Sequence, residues 1–193
     1  MEVTTKMMYL IQKFDSSILC AIKKYVHNKY LDILMPMITT MGNLGIIWIM
    51  VAVVLLLDKP YRLIGGIVIL TLIISTIVGE GIIKHIIRRV RPCNQRNNVN
   101  LLISLPMSYS FPSGHTLSSF AVAEVLSMYF TKYKFIFMTI AFLIALSRLY
   151  LYVHYPTDVI AGIIFGILCS KLTFIILQQD YIQRLSVFYQ SIL

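Results

Sequence analysis

The stretch LIGGIVILTLIISTIVGEGII, residues 63–83, is mainly apolar and carries one charged side chain, Glu80. A transmembrane helix needs about 20 mainly apolar residues, and this stretch meets that requirement. Four further stretches approach the same length and composition: residues 35–57, 116–130, 135–153 and 159–177. The sequence therefore predicts an all-α fold, an integral membrane bundle of about five transmembrane helices.

The composition indicates the same class of protein. The hydrophobic share of 58% and the mean hydropathy of +0.80 are far above those of a soluble domain. A length of 193 residues leaves room for one membrane domain, residues 1–193. The net charge of +9 fits Lys and Arg that flank the spans and face lipid headgroups, and part of it can bind an anion. We therefore expect membrane lipids as partners and, without a soluble basic face, no nucleic acid.

Metal and cofactor sites are not predicted. The three cysteines, Cys20, Cys93 and Cys169, lack metal-ligand spacing, and the four histidines lack an HExxH pattern. No Asp-rich loop could hold Mg²⁺. The sequence therefore predicts neither a metal nor a cofactor.

The N-terminal residues 5–27 show an apolar stripe at helical spacing. The stripe consists of Met7, Leu10, Ile11, Phe14, Ile18, Ile22 and Val26. Lys13 and Asp15 interrupt the apolar run too early for a cleavable signal. The pattern predicts an amphipathic helix, which either lies in the membrane interface or packs on the bundle.

Three polar clusters interrupt the apolar sequence, at residues 84–92, 112–115 and 147–158. Successive spans run in opposite directions. The end of the second span, the start of the third, the end of the fourth and the start of the fifth therefore share one face. We expect the three clusters to meet there.

In the first cluster, Lys84 and Arg91 are seven residues apart, which places both on one side of a helix, and Pro92 ends that helix. Two cations can balance the charge of a phosphate group, and arginine can donate to two of its oxygens. Arg88 and Arg89 lie between them, and one of the two can contribute. The same residues also fit a basic flank of a membrane span.

In the second cluster, Pro112-Ser113-Gly114-His115 immediately precedes the third span. Backbone N–H groups at a helix start, with the close approach that Gly114 permits and the hydroxyl of Ser113, suit an anion. His115 titrates near neutral pH and can protonate a leaving alkoxide. An ordinary serine cap and turn before a helix is the alternative.

In the third cluster, Arg148 lies near the end of the fourth span, where a charge is a candidate for function. His154 and Asp158 are four residues apart, so the carboxylate can accept a hydrogen bond from one ring nitrogen. The other nitrogen is then free to attack phosphorus. A structural His–Asp pair at a helix start is the alternative.

Two acidic residues lie within the predicted spans, and we expect both to be structural. Glu80 stands one turn before Lys84 and can pair with it, as buried charges usually do. Glu124 lies nine residues past His115 and should face another helix.

Together these residues resemble the signature of the type 2 phosphatidic acid phosphatase (PAP2) superfamily. That signature is Lys, six residues, Arg-Pro; then Pro-Ser-Gly-His; then Ser-Arg, five residues, His, three residues, Asp. Residues 84–92, 112–115 and 147–158 match every position and both internal spacings, over about 75 residues of chain.

The resemblance implies a metal-free phosphatase with a helical core like that of PAP2 enzymes and vanadium haloperoxidases. His154 would be the nucleophile that forms a phosphohistidine, and Asp158 would orient it. His115 would protonate the leaving lipid oxygen and then activate water. The phosphoryl oxygens would be held by Lys84, Arg91, Arg148, Ser113 and Gly114.

The resemblance also implies a lipid phosphate as substrate. Many family members have six spans, and here segment 5–27 takes the place of the first. Some undecaprenyl-diphosphate phosphatases look similar in this respect, so undecaprenyl diphosphate is the expected substrate, with phosphatidylglycerophosphate and phosphatidate as alternatives. Related enzymes place the site on the outer face of the cytoplasmic membrane. If the phosphate-binding arginines are discounted, the remaining charges also favour that face modestly.

Two other functions use the same cations. A carrier for an anionic lipid or phosphate would bind without hydrolysis, but it has no need for His115 or the pair His154–Asp158. A haloperoxidase-like oxidant that uses bound vanadate does not suit a membrane chain without a large soluble pocket.

Overall fold

The computed structural model describes the backbone of residues 2–94 and 101–190, and the side chains of residues 6–94 and 101–178. Helices dominate these ranges, and no strand occurs in them. The α-helices are α1 Glu2–Ala21, α2 Lys29–Met41, α3 Ile46–Leu57, α4 Arg62–Thr76, α5 Lys84–Ile87, α6 Gly114–Tyr129, α7 Lys134–Tyr150 and α8 Pro156–Gln190. π-Helical segments, Ile22–Val26 and Ile77–Ile83, continue α1 and join α4 to α5.

The helices confirm a membrane bundle, but not the count of about five spans. Three helical stretches of the described chain are long and apolar enough to cross a membrane: Lys59–Asn94, Thr131–Tyr150 and Pro156–Gln178. A bent pair of helices raises the count to four. The helix α6 has 16 residues, about 24 Å at the usual rise. That length is short of the roughly 30 Å of a hydrocarbon core.

The predicted span 35–57 is not one helix. It is bent by 50° between Lys29–Met41 and Asn43–Leu57. Leu44 and Gly45 at the bend have φ values of 51° and 70°, and this left-handed backbone ends one helix before the next begins. The bend lies beside the first turn of α6, because a Cβ added to Gly42 would lie 2.9 Å from the ring of His115.

The helix α6 lies at the centre of the bundle, where it packs on α4, α7 and α8. Most of its side chains are buried, among them Leu117 and Leu126. Glycines of α8 allow close contact: a Cβ at Gly166 would lie 2.6 Å from the carbonyl oxygen of Leu117. Trp48 of α3 is buried and donates to Ser119 Oγ at 3.0 Å. This packing fixes the start of α6 beside the start of α8.

The helix α1 contacts the start of α8 through one narrow face. Asp15 and Leu19 are buried there, whereas Met7, Leu10 and Phe14 of the predicted apolar stripe are exposed. The helix is therefore attached to the bundle, and its stripe is available to lipid.

Candidate active site

The three clusters meet at one end of the bundle, as the alternation of spans predicts. A cavity of about 240 Å³ is lined there by residues from each cluster. Of the residues expected at the site, it is lined by Lys84, Arg91, Gly114, His115, Arg148 and His154. Asp158 and Ser113 are not in the lining and lie fully buried.

His154 lies in the turn between α7 and α8 and is almost fully buried. Its Nε2 is 2.9 Å from Nη1 of Arg91, and a guanidinium can only donate. Nε2 is therefore the acceptor, and the ring proton of the neutral histidine sits on Nδ1. Burial lowers the pKa of His154 well below 6.5, and the charges of Arg91, Arg148 and Lys84 act in the same direction. The ring is neutral at pH 7, with a lone pair on Nε2.

Asp158 lies behind His154, with its Oδ2 3.5 Å from Nδ1 of the histidine. This separation gives an electrostatic contact but is too long for a good hydrogen bond. Oδ2 also accepts the hydroxyl of Ser110 and, at 2.8 Å, the backbone N–H of Tyr155. Oδ1 accepts from Arg89 at 2.7 Å. Asp158 is thus fixed from several sides and presents a carboxylate to the protonated edge of the imidazole.

His115 lies in the first turn of α6, on the wall of the same cavity as His154. Its Nε2 is 2.8 Å from Oδ1 of Asn43. Since that amide oxygen can only accept, Nε2 carries a proton. Asn43 belongs to the bend between α2 and α3, so the bend orients this histidine.

Three cations surround the cavity, and each is held by the protein. The prediction that Lys84 and Arg91 lie on one helix that Pro92 ends is wrong, because α5 ends at Ile87 and Arg88 has a φ of 49°. Arg91 follows in the loop and donates to the carbonyl of Ser108 at 2.7 Å and to that of Val153 at 2.9 Å. Lys84 donates to Ser108 Oγ at 3.1 Å. Nη1 of Arg148 donates to Thr39 Oγ1 at 2.6 Å, while its buried Nε has no partner. These cations are oriented in advance for an anion, which is how a site stabilises a phosphoryl group.

The tetrapeptide 112–115 contributes to the cavity through Gly114 and His115. The Ser113 hydroxyl instead pairs with Thr116 Oγ1 at 2.8 Å, and the Ser113 N–H donates to the carbonyl of Asp158 at 3.1 Å. Ser113 makes no side-chain cap to the helix. In this arrangement Ser113 ties α6 to α8, and Gly114 provides the open start of α6, whose first N–H groups have no partner within the helix.

Glu80 pairs with Lys84 at 2.6 Å, as its position one turn earlier predicts. Its carboxylate also lies directly against Gly114: an added Cβ there would be 2.1 Å from Oε1. Glu80 therefore borders the cavity rather than serving only as a buried partner.

Several residues of the site are not predicted by its motifs. Thr39 and Asn43 come from α2 and the bend, and Ser108 and Ser110 come from the loop before α6. Their sequence context carries no signal beyond polarity. Asp15 is different, because it interrupts an apolar stripe and so marks a position with a buried polar contact.

Within the described residues, no group of three or more His, Cys, Asp or Glu side chains could hold a metal ion.

A helical membrane bundle with a histidine and three cations around one cavity defines a class of protein that handles anionic groups at the membrane. The model of the PAP2 superfamily matches residues 64–182, more than half of the chain. The chain belongs to the PAP2 superfamily.

Individual proteins agree with this assignment. An undecaprenyl-diphosphatase from Sulfolobus acidocaldarius is 38% identical over 121 residues, which cover 62% of this chain and 58% of that protein. The chain spans about half the length of the curated relatives it matches.

Two solved structures share the fold. LpxE from Aquifex aeolicus has a TM-score of 0.72 and 28% identity, and the match covers 83% of this chain and 94% of that one. A PAP2 type phosphatidylglycerolphosphate phosphatase from Bacillus subtilis has a TM-score of 0.69 and 25% identity, with coverage of 88% and 87%.

Proposed function

We propose that this protein is a membrane lipid phosphatase that works through a phosphohistidine on His154. The observation that carries the proposal is the Nε2 lone pair of His154, presented beside Arg91 on a cavity that Lys84 and Arg148 also line. A neutral imidazole among fixed cations suits attack on a phosphoryl group whose charge those cations hold.

The reaction would proceed in two displacements. Nε2 of His154 attacks phosphorus as Nη1 of Arg91 moves its hydrogen bond from Nε2 to a phosphoryl oxygen, and the bond to the lipid oxygen breaks. His115 acts as the imidazolium in the complex with the anionic substrate: it keeps Nε2–H on Asn43 and gives the proton of its other ring nitrogen to the lipid oxygen. His115 then takes a proton from water, which attacks the phosphohistidine and releases phosphate. Asp158 offsets the positive charge on the imidazole during both steps. Asn43 holds His115 for the proton transfers.

The phosphoryl oxygens would be held by Lys84, Arg91 and Arg148, with the N–H groups at Gly114 completing the site. Ser113 would act through its backbone, because its hydroxyl is paired with Thr116. Since phosphoryl transfer depends mainly on positioning and charge stabilisation, this set can serve without a metal.

Undecaprenyl diphosphate is the proposed substrate, and its hydrolysis to undecaprenyl phosphate would recycle a cell-wall lipid carrier. The name of the Sulfolobus relative supports this choice. An apolar groove of about 320 Å³ adjoins the cavity and shares Leu44, Leu72 and Thr76 with it. Its remaining lining is isoleucine: Ile49, Ile69, Ile73 and Ile77. A prenyl chain in this groove would place its phosphate in the cavity.

Phosphatidylglycerophosphate is the second candidate, because a phosphatase named for that lipid shares the fold over most of the chain. Phosphatidate would use the same groove and cations. A carrier function would not require His115 or His154.

The site is proposed to face the outside of the cytoplasmic membrane, as in the enzymes that the signature resembles. A diphosphate lipid in the outer leaflet would then reach the cavity without crossing the bilayer.

Phosphate release by the purified protein tests the proposal. The substrates are undecaprenyl diphosphate, phosphatidylglycerophosphate and phosphatidate, each in the presence of EDTA. We expect turnover that orthovanadate inhibits and that His154→Ala abolishes, whereas the exposed His85→Ala keeps it. The fastest lipid identifies the substrate. Full activity in His154→Ala would refute the phosphohistidine route, and no turnover by folded wild-type protein would favour the carrier.

A further inference from the structure

Asp15 of α1 is a fully buried carboxylate that lies outside the cavity. Its Oδ1 accepts the backbone N–H of Thr157 at 3.0 Å, and its Oδ2 accepts the Thr157 hydroxyl at 2.7 Å. Thr157 follows Pro156 in the first turn of α8, so Asp15 satisfies an N–H group that the helix itself leaves without a partner. Asp15 therefore joins α1 to the turn of α8 that carries Asp158.

Arg89 connects this carboxylate to the one behind the reactive histidine. Its Nη2 lies 2.6 Å from Oδ2 of Asp15, and its Nη1 lies 2.7 Å from Oδ1 of Asp158. The guanidinium also lies over the ring of Tyr155, 3.9 Å from its centre. The remaining oxygen of Asp158 faces Nδ1 of His154. A continuous chain of charged contacts thus runs from α1 to the imidazole.

The effect of Asp15 depends on the net charge of the linked side chains Asp15, Arg89 and Asp158. Arg89 alone would neutralise Asp158 and weaken its hold on a positively charged imidazole. With Asp15 included, two carboxylates share one guanidinium, which leaves one net negative charge next to His154. These charges interact strongly over such short distances because both carboxylates are fully buried. Three cations from other parts of the fold, Lys84, Arg91 and Arg148, lie near His154. Glu80 and His115 line the same cavity.

We propose that Asp15 is a positioning residue for the reaction at His154: by sharing Arg89, it leaves Asp158 free to offset the positive charge that attack places on the imidazole. This inference rests on the proposed phosphatase function. It assigns to α1 a part in the chemistry.

The substitution Asp15→Asn removes the charge and keeps an oxygen that can accept the Thr157 N–H. We expect kcat for undecaprenyl diphosphate to fall about tenfold, with KM unchanged, because about 1.4 kcal/mol of transition-state stabilisation corresponds to that factor. Asp58→Asn, the same change at an exposed site, should leave both constants unchanged. In an Arg89→Met background, Asp15→Asn should cause no further loss, because the coupling passes through Arg89.

A purely structural role for Asp15 gives different results. Leu19→Ala weakens the packing of α1 without changing any charge or any hydrogen bond of Arg89, so a loss of kcat equal to that of Asp15→Asn would overturn the inference. The inference would also be overturned if Asp15→Asn lowered kcat equally in wild-type protein and in Arg89→Met. A change in KM alone would overturn it as well.

A spectroscopic test separates this inference from the phosphatase proposal. In protein labelled with ¹⁵N-histidine, Asp15→Asn should shift the ring nitrogen resonances of His154, assigned with His154→Gln, and Asp58→Asn should not. If wild-type protein hydrolyses no lipid phosphate, the phosphatase proposal fails, and the resonances still decide the coupling. Unchanged His154 resonances in Asp15→Asn would refute it.

Discussion

At Gly114, the absence of a side chain leaves room for the carboxylate of Glu80. An added Cβ would meet Glu80 Oε1 at 2.1 Å, and no backbone atom stands in its way. Because Glu80 is a long side chain that is 44% exposed, it can rotate aside. The need for glycine at this position therefore comes from the contact with Glu80 at the cavity and not from the stability of the helix.

The substitution Gly114→Ala should leave the protein folded but lower kcat/KM by roughly a hundredfold, since small displacements of a reacting group can have effects of that size. The methyl group would separate Glu80 from Lys84 and crowd the cavity at the first N–H groups of α6, where the phosphate is proposed to bind. Hydrolysis and thermal unfolding are measured together. Gly81→Ala is the control, because a Cβ there meets nothing within 4 Å. Wild-type kcat/KM in Gly114→Ala would show that Gly114 does not contact the phosphate.

The pKa of His154 gives a second prediction at this scale. Burial and three nearby cations lower it well below 6.5, so the neutral form persists below the pH at which an ordinary histidine takes up a proton. Protonation removes the Nε2 lone pair, and the resulting loss of nucleophile should therefore occur below pH 6.5. The ¹⁵N resonances of His154 report this ionisation directly, free of substrate protonation. A midpoint at or above 6.5 would contradict the prediction.

For individual residues, spacing along the chain predicts contacts between side chains one helical turn apart. It does not predict contacts between distant segments. The separations of Glu80 from Lys84 and of His154 from Asp158 are visible in the sequence, and both pairs occur in the structure. The pairing of Arg89 with Asp15 joins residues 74 positions apart. No local pattern specifies such a contact, because it depends on how α1 docks on α8.

Among the helices, the close crossing of α6 and α8 depends on glycine. A Cβ at Gly166 would lie 2.6 Å from the carbonyl oxygen of Leu117 and 3.0 Å from the N–H nitrogen of Ala121. Both are backbone atoms of α6, so they can yield only if the two helices separate. Small residues allow this kind of approach between membrane helices.

The substitution Gly166→Ala should destabilise the protein by about 1–3 kcal/mol, the usual cost of overpacking. Its activity should fall as well, because α6 carries His115 and α8 carries Asp158. Thermal unfolding of the protein in detergent measures the first effect, and phosphate release measures the second. Gly66→Ala serves as the control, since its Cβ would have no neighbour within 4 Å. Equal unfolding temperatures for Gly166→Ala and wild type would show that the crossing can relax.

The bend between α2 and α3 cannot be predicted from the average composition of the segment. Residues 35–57 are apolar enough to suggest one continuous helix, although Gly42 and Gly45 signal a helix end. Composition averaged over the whole stretch hides that local signal. The bend matters for function, because it brings Asn43 to His115 and Thr39 to Arg148.

In the whole molecule, the alternation of spans correctly predicts that the three clusters converge. The opposite end of the bundle is formed by the turns near residues 58–62 and 130–134, where the rings of Tyr61 and Phe130 lie 5.5 Å apart. The loop before α6 could not be predicted in the same way. Its path is fixed by contacts such as Ser108 with Arg91 and Ser110 with Asp158, which exist only after the helices assemble.

The distribution of charge over the two ends no longer favours one orientation. The contact of Asp15 with Thr157 places α1 at the end that carries the site. That end therefore gains lysines of the N-terminal segment: Lys6, Lys13, Lys23 and Lys24. The other end carries a similar set, Lys59, Arg62, Lys132 and Lys134. Because the positive-inside rule depends on an imbalance, orientation has to be measured.

An outer-facing site predicts that a membrane-impermeant thiol reagent labels Met107→Cys in intact cells. Met107 is 95% exposed and precedes Ser108, which contacts Arg91 beside the cavity. Asp58→Cys, at the opposite end, should be labelled only after the cells are made permeable. Both variants are made after the three native cysteines, Cys20, Cys93 and Cys169, are replaced by serine. Labelling of Asp58→Cys alone in intact cells would place the cavity on the cytoplasmic side. The proposed reaction would then have to act on lipid phosphates of the inner leaflet, which favours a substrate made there over a carrier lipid released at the outer surface.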